Sequence, residues 1–212
     1  MSDRISPKRF HEFDWRIVRD DASTHFRTGS FAVGITLADA IGGLATGTSN
    51  HPDIDLRSDG LTVRLRSTSD GRFSEDDLAL AQQISAAASA LGVSVDLTGL
   101  QCVQIAIDAL VIPAVMPFWE AVLGYRHVGD EDLMDPHYQG PPLWFQQMDA
   151  PRPQRNRIHI DVYVPHDQAE ARVAAALAAG GHMVNDSGAP EGWTLADAEG
   201  NEVDIAPWPD LG

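Results

Sequence analysis

Hydrophobic and polar positions alternate most cleanly at Leu61–Arg66, where Leu61, Val63 and Leu65 interleave with Thr62, Arg64 and Arg66. A period of two marks a strand with one face buried. Before it, Phe31–Leu44 carries apolar residues at a helical period, with Phe31, Ile35, Ala38, Ile41 and Ala45 on one predicted face. After it, Ser74 and Asp77 have the spacing of a variant capping box, which predicts a helix start. Leu78, Ala81, Ile84, Ala88 and Leu91 form the predicted buried stripe of that helix, and Gly92 suits its C-terminal cap. Trp15–Val18 reads as a strand, and His25-Phe26 as its hairpin continuation. This half is predicted to be α+β: a small antiparallel sheet with two helices.

The texture changes at Val93–Leu100, and the chain is divided there into domains 1–97 and 98–212. The second domain contains a weak repeat at an offset of about 55 residues, within the range of duplicated units. Val103–Val128 and Ile158–Val184 each read as an alternating strand, a helix, a terminal glycine (Gly124, Gly180) and a new strand. Further strands follow at Pro142–Met148, Trp193–Ala196 and Glu202–Ala206, with Glu199-Gly200-Asn201 as a hairpin turn. The expected fold is therefore paired βαβββ modules.

Charge narrows the function classes. The 212 residues carry a formal net charge of −16. Binding to nucleic acid or to an anionic membrane surface needs clustered basic residues, so neither partner is expected. The acidity is uneven: residues 1–97 hold ten basic and fourteen acidic residues, residues 98–212 five and seventeen. The nearly balanced first domain is thus not barred from anionic partners. A single cysteine, Cys102, permits no internal disulfide, and no apolar run approaches the ~20 residues of a membrane span. A cytoplasmic setting is expected.

The segment Thr48–Leu56, TSNHPDIDL, carries the candidate chemistry of the first domain. Pro52 disfavours helix at His51, so the chain leaves the helix there, and a histidine in that place can present its ring to a cleft. A histidine exchanges protons near neutral pH. The alternative is a surface histidine in a loop. Asn-His-Pro-Asp, an alternating strand and then G-x-F-S-x-x-D-x-x-L-A (Gly71, Phe73, Ser74, Asp77, Leu80, Ala81) resemble the pterin-4a-carbinolamine dehydratases. The resemblance covers about residues 10–92 and runs without a gap from Asn50 to Ala81; Trp15 matches a family tryptophan. It implies dehydration of a 4a-hydroxytetrahydropterin, a hydro-lyase reaction, with His51 catalytic and Asn50, Pro52, Thr68 and Asp77 substrate-binding. This chain departs from the family at four positions: Thr46 replaces a glutamate, Asn50 the first histidine, Thr68 another histidine and Ser69 an aspartate.

In the second domain, V-Q-I-A-I-D-A, F-W-E-A-V-L-G-Y at Phe118–Tyr125, R-I-H-I-D at Arg157–Asp161 and D-A-E-G-N-E-V-D-I at Asp197–Ile205 resemble the glyoxalase-like branch of the vicinal oxygen chelate superfamily. Metal-using members present one ligand from each of four strands. Those positions fall here on Cys102, on Gln146 or Gln147, on His159 and on Asp204. Cysteine favours soft metals and glutamine is a poor ligand. His159 and Asp204 are therefore pocket candidates, and no metal or other cofactor is expected. Trp119, Trp144, Trp193 and Trp208 either line a cavity for a flat ligand or belong to the core.

The leading expectation is a dehydratase-like enzyme with a pterin-like small-molecule substrate, a glyoxalase-like accessory domain and a homo-oligomeric state. The alternative is a catalytically depleted small-ligand-binding or regulatory protein that uses the glyoxalase-like pocket.

Overall fold

The computed structural model describes residues 5–19, 21–67, 72–151, 160–164 and 166–207. The chain forms two compact units, Met1–Cys102 and Val103–Gly212. Among the described residues no helix is long and apolar enough to cross a membrane.

The first unit opens with a 3₁₀ turn, Pro7–Glu12, followed by β1 (Arg16–Val18), β2 (Asp21–Arg27), α1 (Phe31–Ala45), β3 (Asp53–Leu56), β4 (Gly60–Arg66), α2 (Glu75–Ala90) and β5 (Ser94–Val95). The strands form an antiparallel sheet in the order β1-β2-β4-β3, and β5 also pairs with β2. Ala22 and Phe26 of β2 and Leu61, Val63 and Leu65 of β4 point into a core shared with Leu37 and Ile41 of α1 and Leu78, Ala81 and Ile84 of α2. The opposite face carries Ser23, His25, Arg27, Thr62, Arg64 and Arg66. Trp15 is fully buried, and its indole N–H donates to Ser85 Oγ at 3.0 Å.

Both predicted helices form, but each buries a different set of residues from the one expected. In α1 the buried residues are Gly34, Leu37, Ile41 and Ala45, while Phe31 is 55% exposed and Ile35 49%. The cause is close packing against β3: a Cβ on Gly34 would lie 2.4 Å from Leu56 Cδ1. Gly34 thus lets this face of the helix approach the sheet, where any larger residue would meet Leu56. In α2, Leu80 joins the buried stripe. Leu91 is the C-cap residue and is exposed. The capping box of Ser74 and Asp77 is present in full.

The second unit is built from two modules with the same path. The first comprises β6 (Ile105–Ala109), α3 (Ile112–Leu123), β7 (Arg126–Val128), β8 (Asp132–Met134) and β9 (Leu143–Gln147). The second comprises β10 (Asp161–Val164), α4 (Ala169–Ala178), β11 (His182–Asn185), β12 (Trp193–Ala196) and β13 (Glu202–Pro207). Their sheets have equivalent orders, β6-β9-β8-β7 and β10-β13-β12-β11, each with one parallel pair at the start. Each helix is followed by a glycine at positive φ, Gly124 at 68° and Gly180 at 97°, the conformation that lets a helix stop and turn into a strand. The modules share one core, in which Phe118, Trp119 and Phe145 of the first meet Val173, Leu195 and Ile205 of the second.

Candidate functional site

The segment that follows α1 is tied down by side chains. Thr48 Oγ1 lies 2.8 Å from Ala45 O and 3.1 Å from Asn50 O. The Asn50 amide donates to Arg66 O at 2.9 Å and to Asp77 Oδ1 at 2.8 Å. Asp77 is buried, and its Oδ2 accepts from the Ser74 backbone N–H at 2.7 Å and from Ser74 Oγ at 2.8 Å. One carboxylate thus caps α2 and anchors the loop before β3. His51 and Pro52 stand between that anchor and the first residue of β3. Pro52 is half-buried, whereas His51 is exposed and makes no hydrogen bond among the described residues. Asp53 pairs with Arg64, so His51 lies at the level of Arg66 at the sheet margin. Arg66 is held between Asp21 at 3.3 Å and Asp53 at 2.6 Å.

Of the expected first-domain residues, the structure gathers His51, Asn50, Pro52 and Asp77 around the N-terminus of α2; Thr68 lies outside the described residues. Asn50 and Asp77 spend their hydrogen bonds on each other and on backbone. The amide protons of Asn50 are both engaged, which leaves its Oδ1 as the atom able to meet a ligand.

In the second unit no metal site assembles from the described residues. Cys102 is exposed and lies ahead of β6 rather than on it. Gln147 Nε2 donates to Leu110 O at 2.8 Å and Met148 O at 3.0 Å, so its side chain serves the backbone. Asp204 Oδ1 accepts from Thr194 Oγ1 at 2.6 Å. His159, with Arg157 and Trp208, lies outside the described residues. Among the described residues no three ligating side chains converge. A thiol that favours soft metals and a glutamine amide make a donor set that does not fit a hard divalent ion.

Trp119 is a core residue: it is buried, and its Nε1 donates to Asp197 Oδ2 at 2.9 Å. Trp144 and Trp193 are half-buried. Asp197 itself is fully buried and also accepts from Glu199 N, Asn201 N and Asn201 Nδ2. Its counterpart in the first module is Asp135, which follows β8 as Asp197 follows β12 and accepts from the N–H groups of His137, Gln139 and Gly140. Burial pushes the Asp135 carboxyl up, but those three N–H groups and the nearby His137 outweigh it and hold the group below the usual carboxylate range. Glu199, read from sequence only as a turn residue, reaches back to accept from Leu110 N at 2.7 Å and Val111 N at 2.6 Å.

Comparison with known proteins accounts for both units. Residues 2–87 match the family model described as pterin 4 alpha carbinolamine dehydratase. A Nocardia farcinica protein, provisionally named a pterin-4-alpha-carbinolamine dehydratase, is 35% identical over 71 residues, which are 34% of this chain and 75% of that one. The chain belongs to the pterin-4a-carbinolamine dehydratase family. A Chloroflexus aurantiacus protein with the same provisional name is 31% identical over 71 residues, 34% of this chain and 76% of that one. Residues 104–206 match the model of a glyoxalase-like domain, so this dehydratase-family chain carries a second, fused domain. A crystal structure described as a glyoxalase/bleomycin resistance protein/dioxygenase family enzyme from Burkholderia phytofirmans is 17% identical, with a TM-score of 0.41, over 49% of this chain and 95% of its own.

Placed on the structure, two of the departures from the dehydratase pattern have physical content. Thr46, at the glutamate position, is the C-cap of α1, and its hydroxyl donates to Gly42 O at 3.1 Å. Asn50, at the first histidine position, has become a strut to Asp77 and cannot exchange protons.

Proposed function

We propose that the dehydratase-family unit removes water from a 4a-hydroxytetrahydropterin with His51 as its acid/base group. In this reaction the C4a–O bond breaks, the leaving hydroxyl takes a proton and departs as water, and N5 gives up its proton as the C4a–N5 double bond forms. No oxidant or reductant is consumed. The supporting observation is the Asn50–Asp77 strut, which holds the backbone beside His51 against the capped end of α2 while the imidazole stays exposed at the sheet margin. His51 shuttles the proton between N5 and the 4a-hydroxyl, with the Asn50 Oδ1 as a hydrogen-bond acceptor for the ring. Loss of a positioned general acid/base costs about 10²–10⁴-fold in rate. Dehydration of synthetic 4a-hydroxytetrahydropterin, followed by absorbance, is expected to slow by that range in His51→Ala. Equal rates in the two proteins would remove His51 from the reaction.

The same unit is proposed to self-associate. Helix α1 is apolar nearly all round, with Asp39 its one charged residue, and Phe31 and Ile35 remain exposed. A helix of that composition is ordinarily covered on every side. Among the described residues, strand β3 leaves one edge of the sheet open beside it. Light scattering is expected to give at least twice the mass of one chain, and Phe31→Glu/Ile35→Glu to give a monomer. A monomeric parent protein would refute the assignment.

A second reading is favoured by the donor set of the glyoxalase-like unit. With Cys102 off the strand and a glutamine at both 146 and 147, we propose that this unit is a small-ligand module rather than a metal centre.

A further inference from the structure

The solvent-facing side of the first sheet contains a cross-strand row that the dehydration reading does not use. Arg16 of β1 pairs with Ser23 of β2, and Ser23 pairs with Arg64 of β4. Directly paired residues project from the same face, with Cβ atoms about 5 Å apart. Two arginine side chains therefore emerge on either side of one serine.

The ion pairs of this face make the row distinctive. Arg66 is neutralised by Asp21 and Asp53, Arg57 by Asp55, and Arg27 by Asp96. Arg16 and Arg64 have no carboxylate partner among the described residues. Asp53, the cross-strand neighbour of Arg64, is committed to Arg66. The guanidinium of Arg16 is fixed by Nη1 donating to Phe13 O at 3.1 Å and to Trp15 O at 2.6 Å, contacts that position its charge without cancelling it. Ser23 is only 4% exposed although no helix covers that side, and its hydroxyl has no hydrogen-bond partner among the described residues. In the next row, the His25 ring lies over Gly60, with Nδ1 2.9 Å from Thr62 Oγ1.

We propose that Arg16, Ser23 and Arg64 form a binding site for a tetrahedral oxyanion, the phosphate of a small phosphorylated molecule or free phosphate. Two guanidinium groups without a carboxylate partner among the described residues supply charge and forked N–H donors, which suit phosphate oxygens. The Ser23 hydroxyl supplies a third donor between them. The row does not include His51, so the two readings succeed or fail separately.

The test follows the arginine Nε–Hε and backbone amide NMR signals of the full chain at low ionic strength, with inorganic phosphate, phenyl phosphate and formate as probes. Saturable shifts centred on Arg16, Ser23 and Arg64 are expected with both phosphates. Tighter binding of phenyl phosphate identifies an organic phosphate as the natural ligand, and equal or tighter binding of inorganic phosphate identifies the ion itself. Charge-assisted hydrogen bonds of this kind set the scale: Arg64→Gln is expected to weaken phosphate binding about tenfold. Arg16→Gln, at an exposed position, repeats the test if Arg64→Gln does not fold. Arg57→Gln, outside the row, should bind as the parent does. Shifts spread evenly over the surface, formate binding as tightly as phosphate, or unchanged affinity in a folded Arg64→Gln or Arg16→Gln protein would each overturn the assignment.

Discussion

Asp197→Ala is expected to lower the stability of the second unit by about 3–4 kcal/mol. Its carboxylate is fully buried and accepts four hydrogen bonds, from the Trp119 indole, two backbone amides and the Asn201 side chain. Alanine leaves the indole N–H of a buried tryptophan without an acceptor and releases the turn between β12 and β13. A buried donor stripped of its partner bears the full desolvation penalty. For a unit of this size the loss corresponds to a fall of roughly 10–20 °C in melting temperature. Thermal unfolding followed by near-ultraviolet circular dichroism, which reports the packing of Trp119, measures it. Asp197→Asn keeps the shape and one carbonyl acceptor, so it should fall between alanine and the parent. A melting point within a few degrees of the parent in Asp197→Ala would show that the buried network is dispensable.

Asp77→Ala is expected to produce two effects at once. The capping box of α2 loses its carboxylate, and the loop that carries His51 loses its strut. A lost cap costs about 1 kcal/mol, and the orphaned Asn50 amide adds to it, so a total of about 2 kcal/mol follows. The activity loss should exceed what this stability loss explains, because the protein stays folded while the tether of His51 is gone. Positioning errors of about an ångström cost on the order of 10²-fold in rate. Under the proposed dehydration, kcat falls more than KM rises. Asp77→Asn, which retains an oxygen for the Asn50 amide, should recover part of the rate. If alanine and asparagine variants matched the parent in kcat while both lost stability, Asp77 would be a helix cap and nothing more.

Much of the fold was legible because it is written locally. The alternation of Leu61, Val63 and Leu65, the Ser74–Asp77 spacing and the recurrence of a strand, a helix and a glycine each report on neighbouring residues, and the structure contains all three. The buried face of α1 was not legible, because every face of that helix is apolar and the choice between them rests on the fit of Leu56 against Gly34. Strand β3 escaped notice because Asp-Ile-Asp-Leu offers only two apolar residues and owes its place to pairing with β4. At the candidate site the residue types could be read but not their employment. Asn50 and Asp77 are 27 positions apart, and nothing in either local pattern says that they bond to each other rather than to a substrate. Glu199 is the same case over a longer span, since its partners lie 88 and 89 residues earlier.

That span has a consequence for synthesis. Helix α3 starts at a valine N-cap without a side-chain hydrogen bond and is interrupted inside by Pro117, so its own sequence supports it weakly. The carboxylate that accepts from the Leu110 and Val111 amides belongs to Glu199, on the last hairpin of the other module. A ribosome adding about 5–20 residues per second needs roughly 4–18 s to deliver it. During that interval the first module exists as a nascent segment whose leading helix has no brace. The duplicated domain therefore closes late and from its far end, and its last hairpin anchors the residues that lead into its first helix.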